Sequence, residues 1–198
     1  MYPNVIKKLI ENFKDFPGIG DKSAERLAFS LINFDDTKLQ EFSDNIIEVK
    51  NKIVRCKICG SICENDVCNI CENVSRNHKV IFVVEKPKDI FLFEKLGIFN
   101  GVYHVLGGLI SPLDGINPED INIDNLIKRI DENDIEEIIL ALKPSIEGET
   151  TMQYIKKILE PYKVKVTKIA TGIPMGTDIE YIDTMTLEMA LEERKDIS

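Results

Sequence analysis

The apolar positions of this chain change their period part-way along. Near the N-terminus, Val5, Ile6, Leu9, Ile10 and Phe13 recur at three- and four-residue steps, which puts them on one face of a helix. The stretch FPGIG, Phe16 to Gly20, interrupts that pattern with a proline and two glycines. From Asp21 the helical step resumes with Ala24, Leu27, Ala28 and Leu31. Residues 1–55 therefore predict two helices around a tight turn. Beyond residue 78, short apolar runs alternate with helical segments. Lys79–Glu85, Gly101–Gly107, Glu137–Leu142 and Val164–Ala170 read as strands, while residues 90–98, Asp124–Asn133 and Thr150–Leu159 read as helices. Apolar strands joined by helical crossovers predict a mainly parallel sheet covered on both faces, so the expected class is α/β.

Between these regions lies a segment of a different kind. All five cysteines fall between Cys56 and Cys71. The N-terminus has no apolar signal-peptide core, and no apolar run reaches the roughly 18–20 residues that span a bilayer. A cytoplasmic chain with reduced thiols is expected, which argues against disulfides and for a metal. Cys56-x-x-Cys59 and Cys68-x-x-Cys71 form two knuckles that together offer four thiolates, the set zinc favours. Gly60 follows the second cysteine, where a knuckle turn calls for positive φ. Four protein ligands leave no position for water, so one structural Zn²⁺ per chain is expected. Cys63 is then a spare thiol. A redox dithiol is the competing reading, but it needs only one Cys-x-x-Cys.

Charge sharpens the division. The net charge of −9 argues at first against a nucleic-acid partner. Through Lys79, however, acidic and basic residues balance, and the whole excess lies in residues 80–198. The neutral N-terminal part can still meet phosphate through a local basic patch. Lys22 and Arg26 are four apart and share a polar stripe on the second helix. A glycine turn lets the backbone approach a phosphate, and the amides opening a helix carry the positive end of its dipole. Gly18, Gly20, Lys22, Ser23 and Arg26 are thus candidates for contacting DNA without reading its sequence. A plain helical hairpin with solvated charges is the alternative. In the α/β region, Glu85 ends a strand, and Glu147 and Glu149 lie in the PSIEGET segment after another. Ligands of parallel sheets sit beyond the carboxyl ends of strands, so these three carboxylates could converge on Mg²⁺. Solvated or helix-capping carboxylates explain them equally well.

Taken together, the motifs resemble those of the RecR family of bacterial recombination mediators, in order and over essentially the whole chain. FPGIGDKSAERLAF is similar to the family's helix-hairpin-helix, and the cysteine segment to its zinc finger. VVEKPKDI and GVYHVLGGLISPLDGINPEDI are similar to the leading stretches of its Toprim domain. IEGETT resembles the second acidic motif of that domain, and TGIPMGTDIEYIDTMTL the C-terminal signature. Lys143 and Asn117 depart from the pattern, standing where Asn and Gly are expected.

The resemblance implies four parts: a helix-hairpin-helix region (1–55), a four-cysteine zinc finger (56–78), a Toprim domain (79–172), and a C-terminal Walker B-like segment with a helix (173–198). It also implies a protein that is not an enzyme. Such a protein acts in recombinational DNA repair with RecO and RecF and promotes RecA loading on single-stranded DNA coated by single-strand-binding protein. It assembles as a homodimer or as a ring-shaped homotetramer that can encircle duplex DNA. Catalytic Toprim domains use Glu with Asp-x-Asp, whereas this chain has Glu147-x-Glu149, which fits a Toprim fold used for contacts to partners. No P-loop is present to support nucleotide hydrolysis. His104, inside a predicted strand, is expected to pack in the core. A Mg²⁺-dependent Toprim nuclease or nicking enzyme stays open as an alternative, as does a zinc-stabilised adaptor that never touches DNA.

Overall fold

Two compact units divide the chain, Met1–Ile53 and Val54–Ser198. The computed structural model describes residues 2–170, 172–192 and 194. Thr171, which opens the C-terminal signature, and positions 193 and 195–198 of the expected C-terminal segment lie outside the described residues.

The first unit is helical. α1 (Asn4–Lys14) and α2 (Asp21–Leu31) pack as a hairpin, and Ala24 and Ala28 are buried where small side chains let the helices approach. Val5 does not join the packed face and is 79% exposed, because it lies at the margin of the stripe in the first turn of α1. The sequence reading did not anticipate α3 (Asp36–Lys52). Its start is fixed by Asp35, whose carboxylate accepts from the Lys38 amide at 2.8 Å.

The second unit opens with the cysteine segment. Two short antiparallel strands, β1 (Val54–Arg55) and β2 (Ile62–Cys63), are followed by a single turn of helix, α4 (Asn69–Glu72). The main sheet is then built from β3 (Asn77–Val84), β4 (Gly101–Val105), β5 (Glu137–Ala141) and β6 (Lys165–Lys168). Its order is β4-β3-β5-β6 and every pairing is parallel. The crossovers are α5 (Pro87–Leu96), α6 (Ile123–Glu132) and α7 (Ile146–Leu159), and a last helix, α8 (Thr184–Glu192), follows the sheet. This is the mixed α/β architecture that the alternation predicted.

Strand alternation explains how both faces are covered. Ile81, Val83, Val102, Ile138 and Leu140 point one way and pack on Leu126 and Ile130 of α6 and on Met152, Ile155 and Leu159 of α7. Phe82, Val84, Tyr103 and Val105 point the other way, onto Ile90 and Phe93 of α5 and Ile70 of α4. Burial on this scale, at about 25 cal/mol per Å² of apolar surface, is what holds the sheet. α7 begins at Ile146, four residues before the predicted start. Ser145 caps it, its hydroxyl accepting from the Gly148 amide at 3.2 Å. Glu147 and Glu149 are therefore in the first turn of a helix and not in a loop.

Candidate metal centre and nucleic-acid interface

The two knuckles close on each other. The sulfurs of Cys56, Cys59, Cys68 and Cys71 all lie within 4.8 Å of one another, and all four residues are buried. Cys59 Sγ and Cys68 Sγ are 3.6 Å apart. A tetrahedral Zn²⁺ with Zn–S bonds of about 2.3 Å requires sulfur–sulfur separations of about 3.8 Å, so the donor set fits. None of the five cysteines is in a disulfide. Backbone amides already turn toward the sulfurs, from Ser61 to Cys59 at 3.5 Å and from Cys68 to Cys56 at 3.4 Å. Gly60 takes φ +74°, and a side-chain carbon there would press on Asn122 and the Val105 carbonyl at 3.1 and 3.2 Å. The Cys68 thiol is pulled well below its ordinary range, first by its bond with Cys59 and then by Cys71; the same sharing pushes Cys59 and Cys71 up. Cys63 packs against the four without joining their converging sulfurs, and its Sγ lies 2.8 Å from the Asn65 carbonyl.

The hairpin tip is open. Gly18 has φ +84°, the left-handed turn that glycine accepts without strain, and a side-chain carbon at Gly18 or Gly20 would meet nothing within 4 Å. Gly20 caps α2 with its carbonyl, which accepts from Ser23 and Ala24 at 3.1 and 2.9 Å. Having no side chain, it leaves the Asp21 and Lys22 amides without a partner among the described residues. Asp21 would repel a phosphate here, but Lys14 Nζ engages it at 2.9 Å. Lys22 and Arg26 are exposed, and neither forms an ion pair among the described residues. Ser23 is half-buried beside them.

The three carboxylates of the α/β region do not gather. Among the described residues, the cysteines are the one group of three or more such side chains whose donor atoms come that close. Positions 147 and 149 are two apart on a helix, so their side chains diverge by about 200°. Glu147 is half-buried, and its carboxyl is held below the usual range, first by its own backbone N–H and then by the Ser145 hydroxyl. Glu149 turns toward β6, where Lys168 Nζ is 3.6 Å from its Oε1. That distance exceeds a hydrogen bond, and Oε1 is buried without one. Glu85 pairs with Lys86 at 2.9 Å, in an open cleft of about 400 Å³ that Lys88 and Lys143 also line.

Comparison with known proteins places these parts in one family. Residues 6–50 match the family described as RecR, helix-hairpin-helix, residues 79–170 the Toprim domain, and residues 172–195 the family described as RecR, C-terminal. The Recombination protein RecR of Lactobacillus helveticus (strain DPC 4571) is 47% identical over 194 residues, covering 98% of each chain. The chain belongs to the RecR family.

Within the RecR frame the two departures are accommodated. Asn117 has φ −100° and caps a turn of 3-10 helix, exchanging bonds with Asp120, so a glycine is not needed there. The Lys143 carbonyl carries a different constraint: a side-chain carbon at Gly148 would lie 1.9 Å from its oxygen. His104 is fully buried, as expected, but it also holds a polar bridge. Its Nδ1 faces Arg129 Nη1 at 3.3 Å and its Nε2 faces the Asn122 carbonyl at 2.6 Å. A guanidinium only donates, so Nδ1 accepts and Nε2–H donates. Burial first, then Arg129, lowers its pKa to about 4, which keeps the ring neutral. Sequence reasoning missed Arg129 because its partners are backbone carbonyl and histidine atoms about 25 residues away.

Proposed function

We propose that the chain is a non-enzymatic, DNA-binding recombination mediator of recombinational DNA repair. It acts as an oligomeric clamp with RecO and RecF and promotes RecA loading on single-stranded DNA. The observation that carries this reading is the open hairpin tip, with amides and two cations that have no partner among the described residues, in a chain that matches a RecR protein over 98% of its length. Gly18, Gly20, Lys22, Ser23 and Arg26 contact phosphates of duplex or single-stranded DNA without sequence preference. Zn²⁺ is the metal of Cys56, Cys59, Cys68 and Cys71, and its role is structural, as four thiolates saturate it. A metal site built from reduced thiols supports a cytoplasmic setting for the protein.

Assembly supplies the affinity. One hairpin makes few phosphate contacts, which bind weakly at physiological salt. Several hairpins in one homodimer or ring-shaped homotetramer act together at high effective concentration. An apolar stripe on α3 supports self-association: Leu39, Phe42, Ile46 and Val49 recur at helical steps and are all exposed, Ile46 by 57%. Glu85, Glu147 and Glu149 serve as contacts to basic partner surfaces, since diverging carboxylates suit docking better than a shared Mg²⁺.

Incubation with supercoiled plasmid and Mg²⁺ or Mn²⁺, followed in parallel by DNA binding and solution mass, tests the reading. Binding without strand cleavage, by an oligomer, is expected. A folded, metal-replete Phe42→Asp/Ile46→Asp monomer should lose most binding. Metal-dependent nicking that disappears in Glu85→Ala would replace the mediator with a nuclease.

A further inference from the structure

Among the described residues no strand neighbours the outer edge of β4; the cysteine segment meets it instead. The Val105 amide donates to the Cys59 carbonyl at 2.7 Å, and the Val105 carbonyl accepts from Asn122 Nδ2 at 3.0 Å. Tyr103, two residues earlier and facing the same edge, has its carbonyl bound by Arg129 Nη1 at 2.7 Å. Backbone groups at a sheet edge must find partners, and here a knuckle and two α6-side residues provide them.

Arg129 is unusual within this arrangement. It is half-buried on α6 and has no carboxylate within ion-pair distance among the described residues. Its neighbours by hydrogen bond, the Tyr103 carbonyl and neutral His104, carry no charge. A half-buried cation without a counter-charge is costly. Arg129 and Cys71 line the same cleft of about 330 Å³, together with Lys57 and His78. Glu132 lines that cleft as well but lies beside Lys128, not within ion-pair distance of Arg129 among the described residues. Burial works against the guanidinium, and the cysteine sulfurs, when held as thiolates, are the groups that favour it. A divalent ion in four thiolates leaves a net charge of about −2, which a buried site cannot hold without compensation.

We infer that Arg129 is the counter-cation of the four-cysteine metal site, reaching it from α6 of the Toprim domain. It lowers the cost of assembling four thiolates around one ion and ties metal affinity to the folding of the sheet. Outer residues of this kind tune affinity while leaving ligand identity unchanged. The inference rests on the metal reading above.

Its test is competition for Zn²⁺ against a chromogenic chelator, with Co²⁺ absorption reporting the thiolate ligand set, on the full chain. Wild type should bind one ion per chain. Arg129→Met should keep the Co²⁺–thiolate spectrum but bind Zn²⁺ roughly 10- to 100-fold more weakly. Arg129→Lys should keep most of the affinity, because the charge is retained. Should Arg129→Met fail to fold, Arg129→Gln, which can still donate to the Tyr103 carbonyl, takes its place and should show the same loss. Wild-type affinity in a folded neutral variant overturns the inference. So does a Lys variant as weak as the neutral one, which would make the role one of packing. A wild-type chain that binds no ion sinks the metal reading itself, before any Arg129 variant is compared.

Discussion

Removing both cations of the hairpin, Lys22→Ala/Arg26→Ala, should change DNA binding by an amount that can be worked out. Both side chains are exposed and form no ion pair among the described residues, so neither substitution leaves a buried partner unsatisfied. The hairpin itself should stay folded, because its packing rests on Ala24, Ala28 and the apolar face of α1. Each phosphate contact contributes about 0.9 to the slope of log K against log salt on duplex DNA and about 0.7 on single strands. Two lost contacts lower the duplex slope by about 1.8 for every hairpin engaged. At about 0.1 M salt this corresponds to roughly 60-fold weaker binding per hairpin, and near 1 M the difference should vanish. Fluorescence anisotropy with duplexes of unrelated sequence, over about 50–200 mM salt, reads both numbers. The loss should be the same for every sequence. An unchanged slope, or a loss confined to some sequences, would refute the placement of phosphate on this turn.

Other substitutions test the rest of the account. Cys59→Ser should abolish stoichiometric zinc and destabilise the chain, whereas Cys63→Ser should keep full zinc content; the opposite pattern in elemental analysis would mean the ligands are misassigned. Gly148→Ala should cost about 2 kcal/mol or more, because the new carbon falls 1.9 Å from the Lys143 oxygen; denaturant melts at wild-type stability would contradict that packing. His104 has its pKa lowered from 6.5 to about 4 in the folded chain, so the unfolded chain binds more protons between those values. Stability should therefore fall as pH drops from about 6.5 toward about 4, by up to about 3 kcal/mol, and His104→Gln should flatten that dependence.

What the sequence disclosed follows the range of the interactions involved. The knuckles were legible because a four-thiolate site is encoded by two local Cys-x-x-Cys pairs with a glycine after the first. The parallel sheet was legible because strands buried on both faces are nearly continuous apolar runs. The Glu147–Glu149 pair was misplaced because Ser145 could begin a helix as readily as end a loop, and only the Gly148 contact with the Lys143 carbonyl shows where α7 starts. That one turn of helix is what separates the carboxylates. α3 carried a readable stripe at Leu39, Phe42, Ile46 and Val49, but the stripe stays exposed, so nothing in its own unit accounts for it. Arg129 was invisible because its role depends on three elements far apart in sequence meeting at the edge of β4.

The central claim is that this chain promotes recombinase assembly by holding DNA and does no chemistry on it. The most direct measurement is the rate of RecA filament formation on single-stranded DNA pre-coated with single-strand-binding protein, in the presence of RecO and RecF. Adding the wild-type chain should shorten the lag, Lys22→Ala/Arg26→Ala should not, and the DNA should be recovered intact. A wild-type chain that leaves the lag unchanged, or a double variant that shortens it equally well, would contradict the account.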